Sequence, residues 1–178
     1  MTQTEIKELL HYAPDTGVFT WRRRARKWFT TKRARNAWNA KWAGKVAGCL
    51  DSGGYLQIGV RYVRHRSHRL AFLYMHGETP EQIDHINHVR DDNRWVNLRS
   101  TNSAGNNKNR SLSSSNTSGV VGVSWDQSTG KWVARVKAEG RYMCLGRFTH
   151  REDAIAARKA ANIKYDFHSN HGLQLCAI

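Results

Sequence analysis

The composition of this chain changes abruptly several times along its 178 residues, so no apolar pattern runs far enough to build one large core. Short apolar patches alternate instead with basic, Asn-rich and serine-rich stretches, which predicts a modular α+β protein. A helix is expected over residues 4–11, with Ile6, Leu9 and Leu10 on one face, then a turn at Pro14 to Gly17 and a strand from Val18 to Trp21. From Gly48 to Arg66, the pair Gly53-Gly54 and the alternating run YLQIGVRYVRHR predict a β-hairpin. A helix follows, capped by Ser67 or His68, buried through Leu70, Ala71, Leu73 and Tyr74, and closed by Gly77 before Pro80.

Between Arg110 and Gly119 the run SLSSSNTS has one apolar side chain, the composition of a linker. Beyond it, GVVGVSW, KWVARVKA and RYMCLGRF read as three strands, and HREDAIAARKAANIKYDF as a helix whose Ala154, Ile155, Ala157, Arg158, Ala161 and Tyr165 fall on one face. Trp132, Ala134 and Val136 should face that helix, leaving Lys131, Val133, Arg135 and Lys137 on a free basic face. The expected division is a β-rich basic region (1–66), a central unit (67–110), a linker (111–118), a sheet-plus-helix module (119–168) and a tail (169–178).

Twenty-nine Lys and Arg against fourteen Asp and Glu give a formal charge of +15, spread as +7 over residues 1–60, +4 over 61–110 and +4 over 111–178. A basic field along the whole chain suits a protein lying on a polyanion, because each neutralised phosphate releases counterions. Double-stranded DNA is the expected partner. In WRRRARKWFTTKRARNAWNAKW four tryptophans interleave with cations without a clean period. The tryptophans are expected to form a small core, while Arg22, Arg23 and Arg24 grip the DNA backbone. Cys49, Cys144 and Cys176 form no C-x-x-C pair and are expected to be reduced thiols. No apolar run approaches the roughly twenty residues of a membrane span, and the polar start MTQTEIKELL has no signal-peptide core. A monomer in the cytosol or nucleoid is the expectation.

Residues 82–110 are dense in Asp, Asn and His and carry what phosphodiester hydrolysis requires. Asp84 is a hard oxygen donor suited to magnesium, and His85 can accept a proton from water near neutral pH. Adjacent strand residues point to opposite faces, so a turn or irregular strand end is expected at Asp84 and His85. In WVNLR, Val96 and Leu98 should face a core while the Asn97 amide holds His85 or a loop carbonyl. Ser100 or Thr101 should cap a short helix on which Asn106 offers an amide oxygen to the metal. His88 and Asn93 read as turn residues, and His68 as structural.

These residues resemble the phage-type HNH homing endonucleases with a ββα-metal motif. His68-Arg69-Leu70, Asp84-His85-Ile86, Asn93-Arg94, Asn97-Leu98-Arg99 and Asn106 carry the likeness, and TGVFTW and GGYLQIGV look like that family's amino-terminal region. The resemblance implies Asp84 and Asn106 as metal ligands, His85 as general base and Asn97 as the residue that orients the catalytic loop. Asn106 stands where many HNH enzymes have histidine, which favours magnesium or manganese over zinc, and no structural zinc is expected. Residues 119–168 in turn resemble the Apetala/ethylene-response-factor DNA-binding domain of plants, through GKWVARV, LGRF and EDAIAARKAA. That likeness implies that Ser124, Arg135, Lys137, Tyr142 and Cys144 face DNA, with Arg141 and Arg147 near phosphates. The function expected is site-directed nicking or cleavage of DNA; the alternative is a catalytically silent DNA-binding regulator.

Overall fold

The computed structural model describes residues 1–173, and it is a mixed α+β structure of small sheets and five helices. The chain divides into two compact units, residues 1–101 and the remainder from Asn102.

The first unit opens with α1 (Gln3–Leu9), held by a capping box in which Thr2 and Glu5 exchange side-chain and backbone bonds. The helix stops one residue before Leu10, because Leu10 begins β1 (Leu10–Ala13) and pairs with Trp21 at the end of β2 (Val18–Trp21). Gly17 in the intervening turn has φ +73°, and a Cβ there would lie 2.4 Å from the Asn93 backbone. The turn thus fits only glycine and braces the later loop, which also sends the Trp95 N–H to the Pro14 carbonyl at 2.8 Å. Ile6, Leu9, Leu10, Tyr12 and Phe19 form one core with Ile58, Val60, Leu70 and Leu98.

The aromatic and basic stretch, which shows no period in the sequence, contains a helix, α2 (Lys32–Trp42), capped by the Thr31 hydroxyl. Its near-absence of buried side chains explains why no amphipathic pattern announces it. The expected hairpin is part of a three-stranded sheet, β3 (Cys49–Leu50), β4 (Leu56–Val60) and β5 (Val63–Arg66), in the order β3-β4-β5. The second turn, Arg61-Tyr62, has φ of +50° and +65°, an unusual demand on two bulky residues and therefore hard to read from sequence.

Helix α3 (Ser67–His76) ends at Gly77 in the left-handed conformation, as predicted. The start differs: Arg66 occupies the cap position without a side-chain bond, and Ser67 and His68 are buried in the first turn. The unit finishes with an antiparallel pair, β6 (Gln82–His85) and β7 (Leu98–Thr101).

The second unit starts with α4 (Ser103–Asn107). Its cap is the Asn102 side chain, which accepts the Gly105 N–H at 2.9 Å; Ser100 and Thr101, the sequence candidates, are committed to the β7 ladder. The serine-rich stretch read as a linker carries local bonds: Asn116 Oδ1 accepts the Gly119 N–H, and the buried Ser118 hydroxyl donates to the Val123 carbonyl at 2.7 Å. Such side chains satisfy nearby backbone without needing apolar neighbours. Strands β8 (Val123–Asp126), β9 (Lys131–Ala138) and β10 (Arg141–Phe148) form a sheet in the order β10-β9-β8, packed on α5 (Arg151–Lys164) through Ala134, Val136, Ala154 and Ala161. Val133, expected on the free face, is fully buried there between its cross-strand neighbours Ser124 and Arg147.

Cys49 and Cys144 are free and exposed, while Cys176 and the last five residues of the predicted tail lie outside the described residues. No helix among the described residues is long and apolar enough to cross a membrane.

Candidate active site

The β6–β7 pair carries the predicted centre of the first unit. The ladder runs unbroken through both key residues, Asp84 opposite Arg99 and His85 opposite Leu98. The expected backbone departure is therefore not between them. The strand ends directly after His85, where the turn begins, and the unusual conformation falls at His88, with φ +65°. By register, Asp84 shares a face with Arg99, and His85 shares the other with the buried Leu98.

Asp84 is 8% exposed, and Arg99 grips one of its oxygens with two donors, Nε at 3.0 Å and Nη2 at 2.7 Å. Both donors meet the same oxygen, a charge-assisted contact that holds the carboxylate against Arg99. Arg99 is a functional candidate that the sequence left without a role; the strand pairing that places it opposite Asp84 is the signal that would have found it.

His85 is 6% exposed. Its ring meets that of His68 edge to face, with centroids 5.0 Å apart and planes at 88°, and Tyr55 closes the same cluster at 6.1 Å from His85. Burial pushes the His85 pKa below the usual imidazole range, against the opposing pull of the Asn93 side chain and of Asp84, Asp92 and Asp91. For His68 burial dominates further, helped by His85, Arg66 and Arg69, and lowers the pKa to about 3. Both imidazoles are therefore neutral at pH 7. His68 was expected to be merely structural; it packs directly on the candidate base. Tyr55, itself flanked by Arg66 at 4.2 Å and Arg90 at 5.2 Å from its ring, completes a surround that sequence reasoning did not find.

The loop after His85 is braced by Asn97. Its Oδ1 accepts the Asn87 N–H at 2.9 Å and its Nδ2 donates to the Asp92 carbonyl at 2.8 Å, so of the two expected uses of this amide the loop backbone is the one observed. Val96, expected in a core, is 78% exposed: a single 3-10 turn, Trp95–Asn97, separates it from Leu98 and breaks the two-residue alternation. Asn93, 1% exposed, accepts the Tyr12 hydroxyl at its carbonyl and bonds back to Asp91, as a turn-fixing residue should.

Among the described residues no three His, Cys, Asp or Glu side chains gather as a metal cage. One oriented carboxylate is donor chemistry that fits a hard divalent cation, which keeps most of its water and needs few protein ligands. Asn106 lies on α4 in the second unit, with its backbone N–H bonded to the Asn102 carbonyl.

The expected DNA-facing residues fall in two places. In the second unit Ser124, Arg135, Lys137, Tyr142, Cys144 and Arg147 are all exposed on the sheet face away from α5. Cys144 pairs with Arg135 and Tyr142 with Lys137, whose ammonium lies 4.9 Å from the tyrosine ring. Arg141 is exposed but pairs with the buried Ala138, which puts it on the helix side of the sheet. In the first unit Arg22 and Arg23 are exposed, whereas Arg24 is half-buried, its guanidinium 3.8 Å from the centre of Trp38 and 4.8 Å from that of Trp21.

Neither the curated proteins nor the solved structures hold a match to this chain. Residues 65–108, which span the Asp84-His85 strand, the Asn97 turn and α4, match the family model described as HNH endonuclease, and this similarity supports an HNH nuclease acting on DNA.

Proposed function

We propose that the chain is a site-directed DNA endonuclease of the HNH type, hydrolysing one phosphodiester per catalytic event with a single magnesium or manganese ion. The observation that carries this reading is the neutral, buried His85 imidazole next in sequence to the clamped Asp84 carboxylate. When bound, the cation supplies positive charge at the scissile phosphate and leaving oxygen. Asp84 holds it, and Arg99 keeps the carboxylate aimed. His85 takes the proton of the attacking water, a role that requires an imidazole without its second proton. His68 and Tyr55 fix the ring, and Asn97 holds the loop that follows. Asn106 enters as a further metal ligand on the strength of the family resemblance alone.

The exposed face of β8–β10 is proposed to choose the site by entering the major groove of duplex DNA, in the manner of the Apetala/ethylene-response-factor domains it resembles. A monomer with one such centre cuts one strand at a time, so nicking is the expected product, in the service of a phage or mobile element. Two observations favour the second reading, a silent DNA-binding regulator: Arg99 already occupies an Asp84 oxygen, and the β6–β7 register sets Asp84 and His85 on opposite faces of the strand.

Supercoiled plasmid incubated with the protein and magnesium separates the two. Conversion to nicked circles by the wild type, with none by His85→Ala or in excess chelator, is expected. Intact plasmid throughout, from a protein that still binds DNA, would establish the regulator.

A further inference from the structure

The first unit holds a second feature that the nuclease chemistry does not use. Between α2, the 3-10 turn Arg26–Trp28 and the β3–β5 sheet lies a cleft of about 1130 Å³. This exceeds the roughly 300–1,000 Å³ of a small-molecule pocket. All four tryptophans of the aromatic stretch, Trp21, Trp28, Trp38 and Trp42, line it. Trp21 and Trp28 also pack against the core of the unit, as expected, but Trp42 is 39% exposed, and Tyr62, at the tip of the β4–β5 turn, is 108% exposed.

The walls are pre-ordered. Trp38 stands edge-on to Trp21 at 5.5 Å and is covered on one side by Arg24. Arg24 is in turn fixed through its backbone: its N–H donates to Asn39 Oδ1 at 2.9 Å and its carbonyl accepts from Asn39 Nδ2 at 3.1 Å. The floor is bare. Gly59 lies inside β4, one residue before its end, where glycine weakens a strand, and a Cβ built there meets nothing within 4 Å. A side-chain-free position inside a strand commonly marks a surface that another group approaches closely.

The lining is also one-signed. It includes Arg24, Lys27, Arg61 and Arg64, and among the described residues no carboxylate. Lys27 and Arg61 reach out of the cleft to Glu8 and Glu5, at 2.7 and 3.1 Å. Those pairs are exposed, and such pairs are weak enough for a phosphate to replace.

Flat aromatic faces beside cations fit a ligand with both flat rings and phosphates. In duplex DNA the base faces are covered by their neighbours, and only groove edges are presented. An unpaired strand offers every base face for stacking, and its backbone offers the phosphates. We infer that this cleft is a binding site for a short single-stranded DNA segment, with bases stacked on Trp42 and Tyr62 over the Gly59 floor and phosphates held by Arg61 and Arg64. The site is separate from the Asp84-His85 centre; binding of a single strand does not depend on the nuclease reading, and the choice of DNA over RNA rests on it.

The test is fluorescence anisotropy of the full chain in chelator, which silences any metal-dependent cleavage, with labelled oligothymidylate of about 12 nucleotides. An oligouridylate and a duplex of the same length are the comparisons. Gly59→Val fills the floor with a residue that favours strands, so the fold is kept while the cleft is blocked. Trp42→Ala removes an exposed ring. Trp42→Ala should bind oligothymidylate about tenfold more weakly, the effect of losing one stacked base, Gly59→Val should weaken it at least as much, and both should bind duplex as before. Unchanged oligothymidylate binding, an equal loss on duplex, or a loss confined to the RNA oligomer would each overturn the assignment.

Discussion

Acidification below about pH 6.5 should destabilise the first unit through His68. The folded state holds this histidine neutral down to about 3, whereas an unfolded chain protonates it near 6.5. Between those values the unfolded state binds a proton that the native state does not, so stability falls as pH drops through 6.5 and the loss is complete only near 3. At about 1.4 kcal/mol per pH unit, the change from pH 7 to pH 5 costs about 2 kcal/mol from this one side chain. His85, shifted in the same direction for the same reason, adds to it. Urea unfolding followed by tryptophan fluorescence at pH 7 and pH 5 measures the loss. His68→Phe keeps an aromatic ring against His85 and Tyr55 but has no proton to gain, and should flatten the dependence by about 2 kcal/mol. Equal pH dependence in wild type and variant would refute the claim that burial keeps His68 neutral.

Gly17→Ala should destabilise the first unit by about 2 kcal/mol or more, since the new Cβ combines a left-handed backbone with a 2.4 Å approach to Asn93; thermal unfolding reads it directly. In the second unit Arg158 is 2% exposed, bonded to Asn162 and His171 and stacked 4.7 Å from Phe167, and among the described residues it has no carboxylate partner. Replacing this desolvated cation by methionine should raise stability by about 1 kcal/mol, whereas Arg158→Ala, which leaves a void, should lower it by about 2 kcal/mol or more; denaturant titration distinguishes the two. Arg135→Ala combined with Lys137→Ala should spread cleavage over more positions in a mapped cleavage assay while sparing metal-dependent nicking of nonspecific plasmid. Equal loss of both would show recognition and catalysis to be inseparable.

The elements that announce themselves in the sequence are those whose side chains alternate between water and a core. Strand β9 reads correctly because Trp132, Ala134 and Val136 face α5 while Lys131, Arg135 and Lys137 face solvent. Helix α3 reads correctly because Leu70 and Ala71 are buried and Gly77 can turn left-handed. Helix α2 was hidden because it lies against the cleft with little of its surface buried. The Arg61-Tyr62 turn was hidden because neither residue is a usual occupant of a left-handed position. In the candidate site Asp84, His85 and Asn97 were legible as chemistry, since carboxylate, imidazole and amide in that order are a recognisable set. Their surroundings were not. The Arg99 clamp depends on strand register, and the contact of His68 with His85 depends on how α3 packs on β6, neither of which local sequence encodes.

Chemical rescue of the base tests the central claim most directly. Removing the imidazole with His85→Gly while leaving Asp84, Arg99 and Asn97 in place should abolish magnesium-dependent plasmid nicking. Free imidazole added to that variant should restore nicking in proportion to the concentration of its neutral form, so the rescued rate should rise with pH through the titration of imidazole itself. A His85→Gly protein that nicks as fast as wild type, or one that folds and binds DNA yet gains nothing from imidazole at any pH, would contradict a proton-accepting role for His85.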